Sequence, residues 1–93
     1  MIEREAGRLV VKVPLVMANA RELLNAGRSA LQAGEQIVDF SGVEEADSSA
    51  IAVMLGWLRA ATQMQATIKF AHVPAGVRSL AELYGLTELL PLS

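Results

Sequence analysis

Asp47-Ser48-Ser49 sets one carboxylate and two hydroxyls at consecutive positions, directly before a long apolar run. Asp and Ser side chains accept hydrogen bonds from the unpaired N–H groups of a first helical turn, so Asp47 or Ser48 is the expected N-cap of a helix running from Ala50 to about Met64. The same helix start presents free backbone donors and the positive end of a dipole, where a phosphate carried on Ser48 or Ser49 would be stabilised. The two hydroxyls are therefore candidate phosphoacceptors as well as capping groups. Asp39, Glu44, Glu45 and Asp47 surround the same segment. Carboxylates so grouped could hold a hard cation, move a proton, or form a solvated loop surface. His72 is the only histidine and there is no cysteine, which excludes thiolate chemistry, disulfides and a multi-histidine metal site. Neither a Walker A nor a Rossmann glycine pattern occurs. Nothing in this inventory argues for an enzyme, and no cofactor or metal is expected.

The helix opened by these residues carries two apolar stripes. Ile51, Met54, Leu55 and Leu58 form one; Val53, Trp57, Ala60, Ala61 and Met64 form the other. One can face a sheet. The second is either covered by a neighbouring helix or left as a protein contact, and on the latter reading Trp57 is a candidate anchor.

These side chains must be positioned by the elements around them. Arg8 to Val13 is rich in β-branched residues and stops at Pro14, and Ile2-Glu3-Arg4 before the Ala6-Gly7 turn predicts a short partner strand, giving an edge hairpin. Asn19 stands three residues ahead of Glu22, as in a capping box, and Ala20, Leu23, Leu24, Gly27, Ala30 and Leu31 follow at helical spacing up to Gly34. Gln36 to Phe40 reads as a buried strand, Ala66 to Ala71 as another, and His72-Val73-Pro74 as a loop. Val77, Leu80, Ala81 and Tyr84 form a last helical face closed by Gly85, with a short turn from Thr87 to Leu90. Strands alternating with helices predict an α/β fold, with a mostly parallel sheet, an N-terminal antiparallel edge strand and helices after the strands. In such sheets partners meet the loops beyond the carboxyl ends of the strands, here Pro14 to Ala18, Ser41 to Asp47 and His72 to Ala75.

Composition narrows the partners. The 93 residues suit one domain, 1–93, with an expected radius of gyration of about 12 Å. At 53% hydrophobic and 19% charged the chain is too apolar for disorder. A net charge of −2 leaves no electrostatic footprint for nucleic-acid phosphates. The longest charge-free stretch, Ser48 to Leu58, is far shorter than a membrane span, and no basic amphipathic helix is evident, so membrane contact is expected only through a partner. The lack of cysteine fits a cytoplasmic location.

The stretch Ile37-Val38-Asp39-Phe40-Ser41-Gly42-Val43-Glu44-Glu45-Ala46-Asp47-Ser48-Ser49-Ala50 resembles the signature of STAS domains: an apolar strand, Asp-Phe-Ser-Gly-Val, a short acidic loop, then Asp-Ser-Ser opening a helix. That resemblance implies the STAS fold along nearly the whole chain. Asn19 to Leu24, Trp57-Leu58-Arg59 and Val73 to Gly85 are similar to the MlaB branch of the family. The likeness implies a non-enzymatic subunit that docks on the MlaF-like ATPase of an ABC transporter and, through it, the permease. Its role would be to support phospholipid trafficking that maintains outer-membrane asymmetry, from the cytoplasmic side of the inner membrane. Ser48 would lie at the contact, with Glu44, Asp47, Ser49 and Trp57 as further partner-binding residues. The alternative within the family is an anti-sigma-factor antagonist, with Ser49 phosphorylated by a kinase-type anti-sigma factor. Those proteins usually carry Gly where Ala50 stands, and Gly-x-Leu where this chain has Val13-Pro14-Leu15.

Overall fold

The computed structural model describes residues 1–92. The left-handed pair Ala6 and Gly7, at φ 50° and 78°, folds β1 (Ile2–Glu5) back on β2 (Arg8–Val11) as an antiparallel hairpin. A short 3-10 turn (Met17–Asn19) leads into α1 (Ala20–Ala30). There follow β3 (Gly34–Asp39), α2 (Ser49–Gln63), β4 (Ala66–Ala71) and α3 (Ala75–Leu83). The sheet order is β1-β2-β3-β4, with β2, β3 and β4 mutually parallel. This is the mixed α/β sheet expected from the alternation of elements.

Strand order explains where the core sits. The two parallel crossovers advance in the same direction across the sheet, so right-handed connections put α1 and α2 on one face. The side-chain period of two then buries alternate residues beneath them. Leu9 pairs in register with Val38 and Val38 with Phe70, forming one buried row under the helices. Phe40, Phe70 and Trp57 fill the centre. Phe40 stacks on Trp57 at 6.3 Å between ring centroids and on Phe70 at 5.7 Å. The Cα radius of gyration is 11.8 Å.

Trp57 corrects the sequence reading. It is 1% exposed, and its indole N–H donates to the Leu23 and Leu24 carbonyls at 3.1 and 3.3 Å. It faces α1 and cannot serve as a surface anchor. The second stripe of α2 is thus core along Val53, Trp57 and Ala61, and only its end, Met64, is exposed. The slot for the ring exists because α1 has no side chain at Gly27: a Cβ there would sit 2.0 Å from the indole nitrogen.

Other departures are local. No side-chain cap forms at Asn19, whose amide donates to the Pro14 carbonyl at 3.0 Å and so closes the loop preceding α1 instead. The anticipated capping box is absent. Tyr84 lies beyond the end of α3 and is exposed rather than on its buried face. Pro91 and Leu92 return to β4, where the Phe70 N–H donates to the Pro91 carbonyl at 2.9 Å.

Candidate functional site

Two of the loops beyond the strand ends are stitched into one rim. Leu15 N–H donates to the Glu45 carbonyl and Asp47 N–H to the Leu15 carbonyl, each at 2.9 Å, a one-residue parallel bridge between Leu15 and Ala46. The chain from Pro14 to Asn19 is thereby held against the segment that opens α2. The buried Leu15 side chain anchors the bridge in the core.

Asp47 organises this rim. One carboxylate oxygen accepts the backbone N–H of Ser49 at 2.8 Å and also the Ser49 hydroxyl; the other accepts the Met17 N–H at 3.0 Å. Asp47 thus supplies the side-chain cap of α2, although Ser48 is the residue that flanks the helix. The Ser49 hydroxyl, the Met17 N–H and the Ser49 N–H, in that order, favour the ionised form and hold the carboxyl below its ordinary value.

A group whose pKa is lower in the folded chain adds stability above its unfolded value, near 3.9, and that stability is lost as pH falls through the folded value. Asp47→Asn should therefore narrow the drop in thermal midpoint between pH 7 and pH 3. An unchanged drop would show that the Asp47 carboxylate contributes nothing to the fold.

The two serines differ. Ser49 is half-buried and its hydroxyl is committed to Asp47, whereas Ser48 is exposed and its hydroxyl makes no hydrogen bond in the described structure. Glu44 and Glu45 are exposed on the same loop. Asp39 is 8% exposed and belongs to the sheet side of this loop, accepting the Ser41 N–H at 2.8 Å and the Arg8 guanidinium at 3.3 Å. Burial pushes the Asp39 carboxyl up, but Ser41, the nearby His72 and Arg8 more than offset it, and the net displacement is downward. The carboxylates thus point to separate partners. Among the described residues no group of three or more acidic or histidine side chains is arranged to hold a metal ion.

Sequence reasoning missed Met17. It is 74% exposed beside Asp47, and the signal was its position: a methionine in a loop expected at the carboxyl rim and outside any apolar periodicity. The larger open concavities lie elsewhere. One of about 220 Å³ is lined by Gly7, Glu35, Ile37, Thr67 and Lys69 on the uncovered face of the sheet. Another of about 420 Å³ lies between α2, β4 and Leu89. Neither concavity is lined by Asp47, Ser48 or Ser49. No helix among the described residues is long and apolar enough to cross a membrane.

The family model described as "Mlab, STAS domain" matches residues 2–91. No curated protein matches the chain. Among solved structures, an anti-sigma-factor antagonist (STAS) domain protein from Planctomyces limnophilus is similar at 18% identity and a TM-score of 0.70, over 99% of this chain and 86% of that one. A candidate anti-sigma factor antagonist from Thermotoga maritima is similar at 16% identity and a TM-score of 0.69, over 99% and 83%. At these identities the two structures speak to the fold.

Proposed function

The chain belongs to the STAS domain family, and on that premise we propose that it is a non-enzymatic docking subunit, of the MlaB kind, for the ATPase of a phospholipid-trafficking ABC transporter. The observation that carries this reading is the exposed position of Ser48 at the head of α2, on a rim pinned by Asp47. A rigid surface of this kind loses little freedom on association, which favours binding. On this reading the domain sits at the cytoplasmic face of the inner membrane through its partner, and it supports ATPase assembly and activity without touching lipid itself.

The second reading, a phosphorylation-regulated anti-sigma-factor antagonist, draws on Ser49 at the positive end of α2. Against it stands the commitment of that hydroxyl to Asp47, next to which a phosphate dianion would be repelled. Affinity capture of the tagged chain from its own cells, followed by mass spectrometry, separates the two. Recovery of an ABC ATPase with its permease is expected; recovery of a small ATP-binding kinase instead would overturn the transporter reading and direct attention to Ser49.

A further inference from the structure

Met17 is 74% exposed, yet its loop is one of the most firmly tied on the rim. Its own N–H is bound by Asp47, its neighbour Val16 accepts the Asn19 N–H at 2.9 Å, and Leu15 is bridged on both sides to the Glu45–Asp47 segment. An apolar side chain presented on a pinned loop gains little by exposure in the free protein and is pre-organised for insertion into a partner. Methionine is also among the residues enriched at the cores of interfaces. The segment bridged to this loop carries Glu44, Glu45 and Asp47, all exposed, and none of the three makes an ion pair in the described structure; Asp47 is held by the Met17 and Ser49 donors rather than by a cation. The rim therefore carries an apolar side chain beside an acidic segment that has no cationic partner.

Building on the docking role proposed above, we infer that Met17 is the apolar anchor of that contact, and that the ATPase receives it in an apolar socket edged by lysine or arginine side chains. The apolar side chain supplies buried area at the centre, while the acidic segment selects a cationic surface and speeds encounter. The division of labour predicts separate signatures in affinity and in salt dependence.

The probe is the purified ATPase subunit of the host's own transporter, titrated against the full chain by surface plasmon resonance at two salt concentrations. Met17→Gln should weaken the Kd at least about tenfold, mainly through faster dissociation, while Met17→Leu should stay within about threefold of wild type. Glu44→Gln combined with Glu45→Gln should slow association at low salt and flatten its dependence on ionic strength. Both positions are exposed, so thermal midpoints should not move. Wild-type binding that Met17→Gln leaves intact, or that keeps its full salt dependence in the double glutamine variant, overturns this inference alone. Failure of the wild-type chain to bind the ATPase at all overturns the docking role and the inference together.

Discussion

Gly27→Ala should cost the fold about 2–3 kcal/mol, although alanine is the better helix former by about 1 kcal/mol. The added methyl carbon would stand 2.0 Å from the Trp57 indole nitrogen and 2.4 Å from the adjoining ring carbon. Either the ring turns away, giving up its hydrogen bonds to the Leu23 and Leu24 carbonyls and its stacking on Phe40, or α1 lifts from α2. Overpacking of this sort costs about 1–3 kcal/mol, and the lost hydrogen bond adds about 1. Against a total stability of roughly 5–14 kcal/mol for a domain of this length, the loss is large. Trp57→Ala should cost still more, about 3–5 kcal/mol, since it removes a fully buried ring that packs on Phe40 and fills the slot over Gly27.

The pair should be strongly non-additive. With the ring already gone, alanine at position 27 projects into vacated space, so its penalty should vanish or reverse in the Trp57→Ala background. Urea denaturation of the two single variants and the double one measures this coupling. Additive losses would mean that Gly27 and Trp57 do not meet across the α1–α2 interface.

Ser48→Arg is expected to have the largest effect on function with the least on stability. Ser48 is exposed and its side chain makes no hydrogen bond in the described structure, so its replacement costs only the dipole penalty of a cation at a helix start and should lower the thermal midpoint by no more than about 5 °C. A long cation at the head of α2 would nonetheless hold a docked protein away from the rim, and it would repel the cationic border inferred for the ATPase. Binding to the ATPase should weaken by about 30-fold or more, as for a residue at the centre of an interface. Ser48→Ala, which removes only the hydroxyl, should stay close to wild type. If Ser48→Arg binds as tightly as wild type, the contact lies elsewhere on the domain.

Much of the architecture was legible from residue types alone. Apolar runs of the right length, the turn at Ala6-Gly7, Pro14 after β2 and Asp-Ser-Ser before α2 each act over a few residues, so local chemistry suffices to place them. The mostly parallel sheet with its antiparallel edge hairpin followed from the alternation of strands and helices, and the acidic loop with its serines lies beyond the carboxyl end of β3, as expected. The family likeness, carried by the Ile37 to Ala50 stretch, agrees with the family model over residues 2–91.

What the tertiary structure decided concerns groups whose partners are distant in sequence. Trp57 looked available because periodicity reveals that a second stripe is apolar, not what covers it; the cover is Gly27, thirty positions earlier and itself featureless. Asn19 and Glu22 had the spacing of a capping box, but the Asn19 amide found the Pro14 carbonyl instead, since the loop bends back to meet the Ala46 segment. Ser48 and Ser49 are the same residue type side by side, and their difference arises when Asp47 binds one hydroxyl and leaves the other in solvent. Met17 acquires its meaning from that same carboxylate. Local preference acts through neighbours along the chain, so sequence by itself determined the elements and their order. Which surface is core and which is free for a partner depends on contacts closed across dozens of residues, and only the folded chain brings those groups together.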